Sequence, residues 1–158
     1  MNFLKTVAIF FFDILDKYIH QKKILNYLKK NLDNIEIFFD VGSHRGTYTD
    51  LIINNFKIKK VLMFEPQKNI FKFIKKKYIK NKSITVYNQA LSDKKNRQTL
   101  YINKHDLTSS LSKIDKKNRY LNFKALLFGG SINDMVKKKS KVNSSKLSEI
   151  IKKNKIRK

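Results

Sequence analysis

Two carboxylates carry most of what this sequence says about chemistry. Asp40 follows the apolar pair Phe38-Phe39, and Glu65 follows Val61-Leu62-Met63-Phe64. Asp40 leads at once into Val41-Gly42-Ser43-His44-Arg45-Gly46, and Pro66 follows Glu65. A buried strand that ends in an acid and bends through glycines is how a nucleotide-binding α/β sheet begins, because the backbone must turn tightly and approach a ligand. The second acid then falls at the next strand tip, where it can accept hydrogen bonds from ribose hydroxyls. Taken singly, Asp40 reads as a turn aspartate and Glu65 as a solvated strand end. Their spacing and context together point to a nucleoside cofactor.

The glycines narrow the choice of cofactor. A dinucleotide site usually shows three, as G-x-G-x-x-G, so that a pyrophosphate can lie against a helix N-terminus. Here there are two, Gly42 and Gly46, with three residues between them. S-adenosylmethionine has no phosphate and needs no such cradle. Its ammonium and sulfonium charges suit an acid at the end of the first strand. In this reading Asp40 acts on the methionyl end, Gly42 and Gly46 keep the turn clear, and Glu65 takes the ribose.

Positioning these residues requires strands and helices in alternation. Ile35 to Val41 reads as a buried strand, Thr47 to Phe56 as a helix and Lys60 to Phe64 as a second strand. Pro66 suits the first turn of the helix lined by Ile70, Phe71, Ile74 and Tyr78. Ile84 to Asn88 is a third strand, and a βαβαβ order predicts parallel pairing. Beyond it, Ser92 to Asn96 reads as a turn, Gln98 to Asn103 as a strand and Lys104 to Asn118 as a loop. Tyr120 to Phe128 reads as a short helix, Lys137 to Lys141 as a charged connector, Val142 as part of a brief strand, and Ser145 to Lys153 as a last helix. Upstream, Gln21 to Leu32 has helical period, and Leu4, Val7, Ala8, Phe11, Ile14, Leu15 and Tyr18 mark one face of an earlier helix. That earlier helix is expected to pack on the domain, with a place on a membrane surface as its other reading.

At 158 residues the chain suits one core-forming domain, preceded by a helical segment over 1–34. It has no cysteine, which excludes disulfides and thiolate metal sites; no metal is expected, and a reducing, cytoplasmic setting fits. The net charge of +24 invites a nucleic-acid reading, yet only Arg45, Arg97, Arg119 and Arg157 are arginines. RNA-binding surfaces favour arginine and exposed aromatics. The lysine excess therefore reads as solvated background, and no specific nucleic acid is expected. His20, His44 and His105 are the only histidines, and none is assigned as a catalytic base.

The strings Phe39-Asp40-Val41-Gly42-Ser43-His44-Arg45-Gly46-Thr47-Tyr48-Thr49, Met63-Phe64-Glu65-Pro66-Gln67 and Asn88-Gln89-Ala90-Leu91-Ser92-Asp93 resemble the FkbM-type S-adenosylmethionine-dependent methyltransferases. A looser match is Leu107-Thr108-Ser109-Ser110-Leu111. The resemblance runs from about Ile35 to Ile151. It implies an α/β fold, a Rossmann-like class I methyltransferase sheet with helices on both faces. It also implies methyl transfer from S-adenosyl-L-methionine to oxygen on a sugar, lipid or secondary metabolite. By the same carry-over Ser43 and Pro66 join the cofactor site, and Ala90 and Leu91 border the adenine.

Members of that family continue past the equivalent of Leu147 to Ile151 into a further buried strand of Lys-Ile-Asp-Val-Glu-Gly character. This sequence runs instead into Lys152-Lys153-Asn154-Lys155-Ile156-Arg157-Lys158. A partial domain over 35–158 is thus expected, incomplete at its C-terminal side and able to be completed by another chain. The competing expectation is a non-catalytic basic module on RNA or an anionic membrane surface.

Overall fold

The computed structural model describes residues 19–103, 109–127, 131 and 136–156. The helical face read over Leu4 to Tyr18, His105 and the start of the Leu107–Leu111 string lie outside the described residues.

The chain runs α1 (Gln21–Asn31), β1 (Ile35–Val41), α2 (Thr47–Ile53), β2 (Ile58–Phe64), α3 (Lys68–Lys77) and β3 (Ile84–Tyr87). It continues through β4 (Ala90–Leu91), β5 (Arg97–Asn103), α4 (Arg119–Leu127), β6 (Val136–Ser145) and α5 (Leu147–Lys153). The first three strands form a parallel sheet in the order β1-β2-β3. Its centre is β2, whose Val61, Leu62, Met63 and Phe64 are wholly buried. A strand covered on both faces has no polar side to alternate with, so it reads as a continuous apolar run.

Helices cover both faces of this sheet. On one, Val61 and Met63 pack with Ile74 of α3 and Tyr78, joined by Phe38, Ile53, Ile58, Ile84 and Val86. On the other, Leu62 and Phe64 pack with Ile150 of α5, and Phe39, Tyr87, Leu91 and Ile156 close around them. Stacked rings at 6.5 Å (Phe39–Phe64) and 5.1 Å (Phe64–Tyr87) tie all three strands on this second face. The mixed α/β architecture with a parallel sheet is the one expected.

Register is what brings the acids to one edge. Ile35 pairs with Ile58 and Val41 with Phe64, so β1 and β2 end level and Glu65 stands one residue past its strand. Odd positions of β2 face α2 and α3 and even positions face α5, and by the same alternation Asp40 and Glu65 share the first of these faces.

The second half departs from expectation in one major respect. Lys137 to Lys141 is no connector. It lies within the ten-residue strand β6, which is central in a second sheet of order β4-β6-β5. β5 runs antiparallel to β6, and the short β4 runs parallel to it through Ala90↔Ser144 and Leu91↔Ser145. The lysines stay exposed while Val142 and Ser144 turn inward. Ser144 Oγ sits 2.8 Å from Gln98 Nε2 and 2.7 Å from the Lys94 carbonyl, which fastens the 92–96 turn to β6. Two smaller corrections concern helix ends. α2 stops at Ile53, where the amides of Asn55 and Phe56 both return to the Ile52 carbonyl. Pro66 lies outside α3, whose N-cap is Gln67.

Candidate functional site

The turn between β1 and α2 is built on three left-handed residues, Gly42 (φ 75°), His44 (φ 43°) and Gly46 (φ 75°). It is anchored to β2 by the amides of Gly42 and Ser43, which both donate to the Phe64 carbonyl at 2.9 and 3.1 Å. Ser43 is buried against that strand, and its own carbonyl accepts from Gly46 N–H at 2.7 Å.

Gly46 is required twice over. Its φ disfavours any L side chain, and an added Cβ would come within 2.5 Å of the Tyr78 hydroxyl and 2.9 Å of Cε2. Tyr78 Oη reaches the Gly46 carbonyl at 2.9 Å and Asp50 Oδ1 at 2.7 Å. Burial, and then the neighbouring Asp50 carboxylate, push the phenol well above its ordinary range. Lys77 adds its ammonium to Asp50 Oδ2 at 2.5 Å and to the Arg45 carbonyl at 3.0 Å.

Asp40 belongs to the same braced side. Its Oδ2 accepts from the Thr49 hydroxyl at 2.6 Å, which ties the tip of β1 to α2. Burial raises its pKa, and the bond from Thr49 pulls the other way.

Glu65 shares that face but meets different partners. Oε2 accepts from His44 N–H at 3.0 Å and Oε1 from Gln67 N–H at 2.7 Å. Burial raises this pKa as well; the two amides oppose the shift, and the charge on Asp40 reinforces it. The Asn88 side chain donates to the carbonyls of Glu65 (2.9 Å) and Pro66 (3.2 Å), fixing the segment that carries the carboxylate. Glu65 opens on a cavity of about 70 Å³ lined also by Gly42, His44, Pro66, Gln67, Leu100 and Ser109.

The eight residues singled out from the sequence thus fall into three groups. Gly42, Glu65 and Pro66 line the cavity. Asp40, Ser43 and Gly46 brace the turn around it. Ala90 and Leu91 sit in the second sheet, with Leu91 packed in the core on the α5 side. Sequence reasoning missed Leu100 and reached Ser109 only through the looser Leu107–Leu111 match; together they form the far wall, from β5 and the loop after it. It also missed the bracing roles of Thr49 and Tyr78. Thr49 stood inside the quoted motif and Ser109 inside the looser serine-bearing string; Leu100 carries no local signal.

Ribose-like chemistry suits this lining. A carboxylate offers roughly four acceptor positions, and two of those on Glu65 are taken by backbone amides. A Cβ built on Gly42 would meet nothing within 4 Å, so that flank is open. The volume takes only part of a nucleoside, since small-molecule sites usually run to ~300 Å³ or more. The rest of such a ligand would lie outside the cavity.

Among the described residues no group of three or more His, Cys, Asp or Glu could hold a metal ion, and no helix is long and apolar enough to cross a membrane. No curated protein matches the chain. Among solved structures it is similar to the methyltransferase FkbM from Methylobacillus flagellatus KT, at 20% identity and a TM-score of 0.36. That likeness covers 41% of this chain and 19% of the other, so the chain spans about a fifth of that protein's length. The methyltransferase FkbM domain matches residues 40–158, from the first acid through both sheets, and the chain belongs to that family.

Proposed function

We propose that the chain binds S-adenosylmethionine at the tips of β1 and β2 and serves methyl transfer to an oxygen acceptor. One observation carries the reading. Glu65 is 3% exposed, and its carboxylate is held by two backbone amides and keeps acceptor capacity toward a cavity whose Gly42 flank has no side chain. Glu65 would bind the ribose diol, with Pro66 and Gln67 as wall beside it. Asp40 supports the site through Thr49 and adds negative charge beneath the turn, which favours a cationic ligand.

When bound, the donor would supply a methyl group on a positively charged sulfur; an acceptor hydroxyl oxygen would bond to that carbon in line as the carbon–sulfur bond breaks, the neutral thioether leaving and the hydroxyl proton passing to solvent. Positioning is the main contribution of a protein to such a displacement, with effective molarities reaching ~10⁵ M. The turn offers positioning, because its polar groups are fixed before any ligand arrives. Family membership supports methyl transfer. Resemblance to oxygen-directed members favours a hydroxyl on a sugar, lipid or secondary metabolite as acceptor.

Calorimetry with S-adenosylmethionine tests the proposal. Binding is expected, and Glu65→Ala should weaken it about tenfold or more, the loss of two charge-assisted hydrogen bonds. A folded chain that gives no binding heat, or equal affinity in the Glu65→Ala variant, would refute it.

A further inference from the structure

The described helix that commits least to the core is α1, which buries none of its eleven residues. Ile24, Tyr27 and the C-cap Leu32 stand 40%, 68% and 40% exposed, and Ile19 just before the helix is 42% exposed. On a helix of 3.6 residues per turn, Tyr27, Ile24, Leu28 and Leu25 fall within one arc of about 160°. Lys22, Lys23, Lys29 and Lys30 occupy the opposite arc of about 120°. There is no acid between Gln21 and Leu32, and none of the four lysines forms an ion pair among the described residues.

Lysine alone decides nothing in a chain of this composition. What discriminates is the combination: an apolar arc on which Ile24 and Tyr27 stand exposed beside the half-buried Leu25 and Leu28, and unneutralised cations on the opposite arc. Three partners could cover such a face. A nucleic acid would use the lysines but gain nothing from Ile24 and Leu32. A second copy would set these lysines against their own equivalents, between two chains of net charge +24 each. An anionic bilayer satisfies both arcs, with apolar side chains at the boundary of headgroups and acyl chains and lysine stems reaching up to the phosphates.

We propose that α1 is a docking surface for an anionic lipid bilayer. The helix lies in the membrane plane, and the rest of the chain rides on it. The proposal adds a location to the methyltransferase reading and does not depend on it.

Vesicle sedimentation of the full chain is the test, with phosphatidylcholine alone and with phosphatidylcholine mixed with phosphatidylglycerol. The chain should sediment with the anionic vesicles only, less so as salt rises. Because many lysines elsewhere attract anionic lipid, the deciding arm is Ile24→Asp with Tyr27→Asp. Both side chains are exposed, so circular dichroism should be unchanged while partitioning falls about fivefold or more. Replacing Lys22, Lys23, Lys29 and Lys30 by Gln should reduce it too. No sedimentation, equal binding to both vesicles, or unchanged partitioning of the Ile24→Asp, Tyr27→Asp variant would overturn the proposal. So would a dimer in light scattering that these two substitutions dissolve, which would give the face to a second copy, or tighter binding to RNA than to vesicles.

Discussion

The two acids that look equivalent in sequence live in different surroundings. Asp40 meets the hydroxyl of Thr49 and belongs to a block in which Gly46, Asp50, Tyr78 and Lys77 answer one another. Glu65 is held only by backbone amides and opens on the cavity. The braced side has no room for a side chain at Gly46, whereas the side that carries Glu65 opens on a cavity. A site that must both hold shape and admit a ligand divides those tasks between neighbouring strand tips. On the function proposed above, one acid keeps the turn in place and the other is left to bind.

This division can be broken at its strongest point first. Gly46→Ala should cost about 2–5 kcal/mol in urea denaturation, combining a left-handed backbone with overpacking against Tyr78. A loss below about 1 kcal/mol would mean the block yields easily, and the contrast would weaken. Next, Asp40→Ala leaves the Thr49 hydroxyl buried without its acceptor and should cost about 1–3 kcal/mol. Its effect on donor affinity should be smaller than that of Glu65→Ala; the reverse ranking in calorimetry would exchange the two roles. Gly42→Ala should cost about 1–2 kcal/mol from backbone strain alone. Nothing crowds its Cβ, so any further loss should appear in donor binding, where the methyl projects toward the ligand.

The smallest effect is a slope. Both carboxylates have pKa values above their ordinary 3.8 and 4.5, chiefly through burial. The folded state therefore holds these protons more tightly than the unfolded chain, and stability falls as pH rises from the ordinary values through the raised ones. Glu65→Gln removes one titrating group, so its stability relative to the parent should improve as pH rises through that window. Thermal melts at a series of pH values read this directly. Parallel profiles for parent and variant would show that Glu65 is not the group responsible.

Legibility followed locality. The apolar runs of β1 and β2, the glycine turn and the acids can be read from short strings, because each is decided by near neighbours in sequence. β6 could not be read that way. Lys137 to Lys141 becomes a strand only because β5 supplies backbone partners some 40 positions upstream, with Lys141 opposite Thr99 and Lys139 opposite Tyr101. Its solvated face is all that the residue types disclose. Ser144 likewise looks like a loop serine until the 92–96 turn folds onto it. At the site, Gly42, Glu65 and Pro66 were visible as one wall. Leu100 was not, because a wall brought from a distant strand leaves no spacing to recognise, and Ser109 showed only as part of the looser serine-bearing match. Pro66 was placed in the first turn of its helix but stands one residue before the N-cap Gln67, since proline is accepted both at the first helical position and just outside it.

The closeness of Gly46 and Tyr78 reaches beyond this one molecule. They stand 32 positions apart in the chain, yet a single added carbon on one collides with the ring of the other. Descent should therefore treat them as a pair. A lineage that exchanged this glycine for a larger residue would survive only if the tyrosine had already given way to something smaller, so the two letters should change in concert or not at all.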